Sequence, residues 1–413
     1  MSRRLLVIAY HFPPIQGSSG IHRTLAFAKF LREFGWEVTV LTVHTRAFQN
    51  YRAENLRMIP DHVDVVRANA WDTARHFSIA GWYPRMLALP DRWRSWIPAG
   101  VLAGRRIVRK LRPTALFSTF PIASAHEIAL RLHESTGLPW IADFRDPMAQ
   151  DGYPPDPAVW ESYAKIERRV FERADRITVT TDGTAQYYAA RYPAIASAKL
   201  RVIENGFDPD AFASAGPSSA SERKPNGRLL LLHSGIVYPT DRDPEPFLKA
   251  LARLHSEGHV GSDNLEVRFR ASGYQDRYQQ MIDRLALQSF VHLAPSLPYD
   301  QATEEMQQAD ALLVFQARTC NRQIPAKLYE YFYTGRPILA MTDPAGDTGR
   351  LLTRMNVSGI APLEETDSIY AMLREALERV RSGQYAVPDA ADVAKLSRRA
   401  RTQELAHLLD EVV

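Results

Sequence analysis

Two stretches of this sequence combine residue types that bind phosphate. In Cys320-Asn321-Arg322-Gln323-Ile324-Pro325-Ala326-Lys327-Leu328-Tyr329-Glu330-Tyr331, Pro325 marks a helix start, because proline in a first helical turn forfeits no hydrogen bond. The N–H groups of Ala326 and Lys327 are then expected to point outward, with Lys327 adding a full positive charge suited to a diphosphate. Glu330, one turn on, can accept hydrogen bonds from two vicinal hydroxyls such as those of a ribose; without that company it reads as an exposed helix glutamate. The second stretch is Tyr10-His11-Phe12-Pro13-Pro14-Ile15-Gln16-Gly17-Ser18-Ser19-Gly20, between an apolar run and a helix from Ile21. Gly17, Ser18, Ser19 and Gly20 sit where free N–H groups and the positive dipole end favour an anion, and small side chains let the backbone approach closely. The loop has neither the dinucleotide glycine fingerprint nor a Walker lysine, and a plain strand-to-helix turn has the same composition.

Other candidates follow strands. His126 lies behind Ser118-Thr119-Phe120-Pro121, either near a ligand or as a satisfied core histidine. Asp143, Arg145 and Asp146 close an apolar run, as binding-edge residues or as a self-contained salt-bridged loop. No acids and histidines stand at ligand spacing, so no metal site is expected. Between Gly81 and Arg112 eight basic residues (Arg85, Arg92, Arg94, Arg105, Arg106, Arg109, Lys110, Arg112) face one acid, Asp91, among Trp82, Tyr83, Trp93 and Trp96. Such a mixture suits an anionic, half-apolar surface such as a phospholipid leaflet; the alternative is a solvated helix face with aromatic packing. No nucleic-acid-binding module accompanies it.

Positioning these residues takes strands and helices in alternation. Strands are expected at Leu5–Tyr10, Glu37–Val43, Val63–Val66, Ala115–Ser118, Trp140–Asp143, Ile177–Thr181 and Arg201–Glu204, with helices at Ile21–Phe34, Ser124–Ser135 and Ala158–Arg173. After a Ser/Ala/Pro/Gly-rich stretch the pattern restarts, with strands at Leu229–His233, Leu265–Arg270, Val291–Leu293, Ala311–Phe315 and Pro337–Met341. Helices are expected at Pro244–Glu257, Arg277–Leu287, Gln301–Gln308, Pro325–Thr334, Ser368–Ser382 and Ala391–Val413. The implied organisation is α/β: an N-terminal Rossmann-like domain over 1–207, a linker over 208–227, a second such domain over 228–390, and a C-terminal helix over 391–413 packing back toward the first. Ligands of open parallel sheets lie outside the strands' carboxyl ends, so a cleft between the two domains is the expected site. The 413 residues, 45% apolar and 24% charged with net charge +4, exclude wholesale disorder and fibrous repeats. No stretch approaches the ~18 apolar residues of a membrane span. The opening apolar run imitates a signal peptide but meets His11 and two prolines after six residues, and the lone Cys320 excludes an internal disulfide. A soluble, cytoplasmic protein is expected.

The ordered set Tyr10-His11-Phe12-Pro13-Pro14 with the Gly17 loop, Ala142-Asp143-Phe144-Arg145-Asp146-Pro147, Glu204-Asn205-Gly206-Phe207-Asp208 and Lys327-Leu328-Tyr329-Glu330-Tyr331 resembles retaining glycosyltransferases of the GT-B fold, most nearly glycosyltransferase family 4. The resemblance implies two doubly wound Rossmann-like domains facing across a cleft. It places Gly17 to Gly20 on the donor diphosphate. It also implies a second-domain strand ending in glycine, here Gly235, followed by an arginine position, here Ile236, and a phosphate-binding cation, here Arg242. Arginine in place of the family's lysine is chemically tolerable. The family's paired glutamates map onto Arg322 and Glu330, so Arg322 faces the donor sugar with a changed charge. The implied donor-binding residues are thus Gly17, Ser18, Ser19, Gly20, Gly235, Arg322, Pro325, Ala326 and Glu330; Arg242, Lys327 and His126 are the catalytic candidates, and His11, Asp143, Arg145 and Asp146 line the acceptor or cleft side.

What the resemblance implies is transfer of a sugar from a nucleoside diphosphate sugar to an acceptor hydroxyl with retention, in cell-surface polysaccharide or glycolipid synthesis, without cofactor. The basic segment adds a lipid-linked acceptor and an anionic membrane surface, with peripheral attachment at the inner face. Two alternatives share the scaffold: a nucleotide-sugar epimerase and a non-catalytic binding protein.

Overall fold

Runs such as Leu5-Leu6-Val7-Ile8 and Leu229-Leu230-Leu231-Leu232 are apolar at every position, which suits strands covered by helices on both faces. In the computed structural model, which describes residues 3–16, 20–210 and 227–413, these runs become central strands of two parallel sheets. The chain forms two compact units, Met1–Asn205 with Arg398–Val413, and Gly206–Ser397.

The first unit runs β1 (Arg3–Ile8), α1 (Gly20–Phe30), β2 (Trp36–Val43), β3 (Asp64–Ala68), α2 (Thr73–His76), α3 (Trp96–Leu111), β4 (Ala115–Thr119), α4 (Ala123–Thr136), β5 (Trp140–Arg145), α5 (Pro157–Arg173), β6 (Arg176–Val179), α6 (Asp182–Arg191), α7 (Pro193–Lys199) and β7 (Leu200–Val202). Its strands lie in the order β3-β2-β1-β4-β5-β6-β7, each pair parallel. The second unit runs β8 (Leu229–Ser234), α8 (Glu245–Ser256), β9 (Leu265–Arg270), α9 (Gln275–Arg284), β10 (Val291–Ala294), α10 (Tyr299–Gln308), β11 (Ala311–Phe315), α11 (Ala326–Thr334), β12 (Ile338–Met341), α12 (Asp347–Arg354), β13 (Ile360–Ala361), α13 (Thr366–Ser382) and α14 (Ala390–Ala394), in strand order β10-β9-β8-β11-β12-β13. The last helix, α15 (Arg398–Asp410), belongs to the first unit, where Leu405, Ala406, Leu408 and Leu409 share a buried cluster with Phe27, Leu31, Val7 and Trp36.

The single helix expected over 391–413 is therefore two, α14 and α15, and the division between the units falls at Ser397/Arg398. The other division falls at Asn205/Gly206, and of the expected linker residues 211–226 lie outside the described residues.

Two residues read as site candidates are core residues. Asp143 is fully buried, and its carboxylate accepts four hydrogen bonds: Arg23 Nη2 at 2.9 Å and Nε at 3.1 Å, and the hydroxyls of Thr119 and Thr178 at 2.8 Å each. Burial alone would raise the Asp143 carboxyl, but Arg23, with help from Arg145 and Thr178, holds it below the ordinary range. Arg23 also donates to the Glu204 carbonyl at 2.9 Å. His126 is equally buried, 4.8 Å from the Phe144 ring centroid, with Nδ1 2.7 Å from the Ser118 hydroxyl. That hydroxyl also accepts the Trp140 indole N–H at 2.8 Å. Burial lowers the imidazole to about 4. His126 is thus a neutral histidine inside the β4–β5–α4 packing rather than a group at the sheet's edge.

Both placements carry expected outcomes. Arg23→Met strands a buried carboxylate, which typically costs about 3–5 kcal/mol; at about 2–4 °C per kcal/mol the thermal midpoint drops by roughly 10 °C, and an unchanged midpoint would show the pair is dispensable. His126 stays neutral in the fold but binds a proton near pH 6.5 when unfolded. Its contribution is therefore complete above about pH 6.5 and is lost as pH falls toward 4, at about 1.4 kcal/mol per pH unit. His126→Gln should shrink the drop in melting temperature between about pH 7 and pH 5; equal drops in both proteins would contradict the assignment.

Candidate functional site

In the second sheet, β8 and β11 are neighbours from which successive strands run off in opposite directions, which opens a crevice at their carboxyl ends. Gly235, at the end of β8, has φ of 135°, a conformation other residues rarely adopt, and a Cβ there would meet nothing within 4 Å. Backbone is thus bare at the crevice. The turn that follows returns Arg242: its N–H donates to the Tyr238 carbonyl at 2.8 Å, and its guanidinium lies 5.5 Å from the Tyr238 ring centroid and donates to the Ile236 carbonyl at 3.2 Å. Among the described residues no acid pairs with Arg242, so its charge is available to an anion. Ile236, at the position where the resembled family has arginine, is 44% exposed.

Helix α11 brings the other half. Pro325 caps its start, Lys327 Nζ lies 2.9 Å from Glu330 Oε2, and the Tyr299 hydroxyl donates to Glu330 Oε1 at 2.9 Å. The lysine and glutamate read as two ligand contacts are therefore paired with each other, and Glu330 is buried rather than exposed. The next residue, Tyr331, accepts the Ser234 N–H at 2.9 Å, which fastens α11 to the end of β8. His233, one residue earlier, holds Nδ1 2.8 Å from the Leu313 carbonyl. Burial lowers its imidazole to about 4, and the charges of Arg242 and Lys327 add to that effect. The loop before α11 is fixed by Gln316, whose amide donates to the carbonyls of Cys320 and Gln323 at 2.9 Å each, and by Thr348, which donates to Gln323 at 3.0 Å. Arg322 projects from this loop and is exposed. His233, Tyr299 and Tyr331 escape sequence reading because each acts through a partner far along the chain, and Gln316 because its amide serves main-chain carbonyls.

In the first sheet the corresponding crevice lies between β1 and β4. Gly17, Ser18 and Ser19 lie outside the described residues; Gly20 is the buried first residue of α1. His11, just beyond β1, is lowered to about 4 by burial and by the charge of Arg145. Arg145 ends β5 after a slip in register from Asp143, at a φ of 64°, and its guanidinium donates to the Phe120 carbonyl at 3.3 Å. A non-glycine residue there costs of order 1–3 kcal/mol and persists where the surroundings dictate it; here the Arg145 carbonyl accepts both the N–H and the hydroxyl of Thr180. Burial raises the neighbouring Asp146 carboxyl, with Arg145 opposing. His11, Arg145 and Asp146 thus gather at one carboxyl edge, and Asp143 and His126 lie beneath it. The loop beyond Asp146 is held by Glu167, which accepts from the Ala149 N–H and the Tyr188 hydroxyl, and by Tyr187, which donates to the Ala149 carbonyl at 2.9 Å.

The basic aromatic segment divides differently from its sequence reading. Trp96 is fully buried, Trp93 packs 4.5 Å from Tyr10, and of the three tryptophans only Trp82 is exposed. Arg92 pairs with buried Asp72 and Arg85 with Asp156. The acid, Asp91, faces inward and accepts from the Ser124 N–H at 2.7 Å, capping α4. The outer face of α3 keeps Arg105, Arg106, Arg109 and Lys110 exposed, with no acid partner among the described residues. Its inner face lays Gly100 and Gly104 on Ile128 and Leu132 of α4. Among the described residues no three His, Cys, Asp or Glu side chains converge to hold a metal ion, and no helix is long and apolar enough to cross a membrane.

Comparison with known proteins places this geometry. The family model of a glycosyl transferase 4-like domain matches residues 20–206. No curated protein matches the chain. Among solved structures, HepE of Anabaena in complex with UDP and glucose is similar with a TM-score of 0.69 at 13% identity, covering 99% of this chain and 100% of that one. Sucrose-phosphate synthase from Thermosynechococcus elongatus follows with 0.64 at 14%, covering 99% and 98%. WaaG, a glycosyltransferase involved in lipopolysaccharide biosynthesis, gives 0.62 at 15%, covering 98% and 99%. The two parallel sheets have the fold of GT-B glycosyltransferases, and residues 20–206 match a glycosyl transferase 4-like domain.

Proposed function

We propose that the protein transfers a sugar, with retention, from a nucleoside diphosphate sugar to an acceptor hydroxyl carried on lipid at the cytoplasmic face of a membrane, in the synthesis of a cell-surface polysaccharide or glycolipid. The observation that carries the donor reading is the bare backbone of Gly235 at the end of β8, in a turn that returns Arg242 to the Ile236 carbonyl, beside α11, which Tyr331 fastens to Ser234 and which carries Lys327 and Glu330. Two fixed cations and free N–H groups at a helix start suit a diphosphate, and a carboxylate one turn away suits the vicinal hydroxyls of a ribose. The reading gains support from HepE, whose structures hold UDP and UDP-glucose. In this mechanism Arg242 and Lys327 stabilise charge growing on the leaving diphosphate, which takes the acceptor's proton on the same face, so catalysis is chiefly electrostatic. Arg322 is assigned to the donor sugar, and His11, Arg145 and Asp146 to the acceptor. The exposed cations of α3 support an anionic membrane as the place where the acceptor is met.

The Lys327–Glu330 pair sharpens the test. Glu330→Ala should weaken UDP binding by about tenfold or more, the loss of hydrogen bonds to a charged group. Pyrophosphate should bind the same variant as well as before or better, because Lys327 is released. Lys327→Ala should weaken both ligands. Unchanged UDP affinity in Glu330→Ala, measured by calorimetry, overturns the ribose assignment. Because the diphosphate is neutralised by side chains, transfer should continue in EDTA; activity abolished by EDTA and restored by Mg²⁺ or Mn²⁺ would refute this.

A further inference from the structure

Half of the large apolar side chains exposed on the first unit's described residues lie between Trp71 and Leu87, and the two most exposed sit on a hydrogen-bonded turn. Ile79 and Trp82, 81% and 71% exposed, face each other across a hairpin closed by two backbone hydrogen bonds of 2.9 Å. The residues between them, Ala80 and Gly81, have φ of 49° and 81°, as a tight two-residue hairpin turn requires. Phe77, Met86 and Leu87 flank the tip and are also exposed. Contiguous exposed apolar groups on a soluble surface mark an interaction site, and here a fixed turn holds them outward.

Within residues 71–96 the exposed charge is basic, and from outside the segment Asp156 pairs with Arg85. Of the acids between residues 71 and 96, Asp72 is buried against Arg92 and Asp91 is buried against the start of α4. Arg75 and Arg94 are exposed and donate to carbonyl oxygens, Arg75 to those of Phe48 and Arg46 and Arg94 to that of Met86, so neither charge is cancelled. An apolar tip in a segment that also exposes arginines fits hydrocarbon beneath anionic headgroups, with the tryptophan at the boundary.

We propose that the hairpin Ile79–Trp82 inserts into an anionic phospholipid leaflet and fixes the first unit to it. This rests on the membrane reading above and adds an apolar anchor to the charge of α3. Side chains of this size each change partitioning by about tenfold or more on leaving water, and an apolar contribution, unlike the arginines', survives salt.

The test is co-sedimentation with vesicles of phosphatidylcholine alone and of a roughly 3:1 mixture with phosphatidylglycerol, at about 0.1 M and about 1 M salt. The wild type should bind the anionic vesicles and keep part of that binding in high salt. The double variant Ile79→Ser, Trp82→Ser should partition about tenfold or more weakly and lose the salt-resistant part, with UDP affinity and melting temperature unchanged. Ile79→Trp should bind several-fold tighter, a gain that misfolding cannot mimic. Serine variants that bind like the wild type overturn the hairpin and leave the membrane reading standing. A wild type that binds neither vesicle overturns both, and the nucleotide tests remain a separate measure of donor binding.

Discussion

The buried ion pair of Arg23 with Asp143 is the constraint from which the first unit's working edge follows. Charges enter a protein interior only when every lone pair and N–H finds a partner, and these two recruit groups from α1, β4, β5, β6 and the Glu204 carbonyl. One contact thus fixes where α1 begins, and so where Gly20 stands at the carboxyl edge. It also fixes the register of β5 up to Asp143, so the slip that follows turns Arg145 out at a single place. The carboxylate of Glu204 meets Arg401 at 3.7 Å, which ties α15 into the same arrangement.

The second unit has an inner ionic cluster of its own, Glu305 with Arg268 and Arg270. Its binding edge hangs on neutral donors and acceptors: Tyr331 on the Ser234 N–H, Gln316 on two loop carbonyls, Thr348 on a third bond to the same loop. The cations are left on the outside of that framework, Arg242 braced by a ring and a carbonyl rather than by an acid. Lys327, the other cation, is paired with Glu330 at 2.9 Å.

These contacts explain what the sequence made legible. Uninterrupted apolar runs announce buried strands, so each strand of the first sheet and five of the second are readable; β13 has two residues and offers no pattern. Helix α3 enters the sequence reading only as the alternative of a solvated helix face, because Gly100 and Gly104 interrupt the buried stripe of Ile97, Val101 and Ile107. The start of α11 is legible because proline, lysine and glutamate act within one turn. Asp143 resembles a binding residue until Arg23, 120 positions earlier, is seen beside it. His126 and Trp96 mislead in the same way: a polar or aromatic residue declares its chemistry in the sequence, but only packing decides whether it faces a ligand or the core.

That α15 completes the first unit has a consequence for the order of events at the ribosome. The second unit is continuous in sequence and can fold as soon as it has emerged. The first unit presents Phe27, Leu31 and Trp36 early, yet the leucines that cover them arrive only with residues 405–409. At the usual 5–20 residues per second that interval is about 20–75 s. For that time one face of the first sheet's helix layer is apolar and uncovered, so the usual sequence of N-terminal domain first is inverted, and the nascent first unit is the part of this chain that most needs a chaperone.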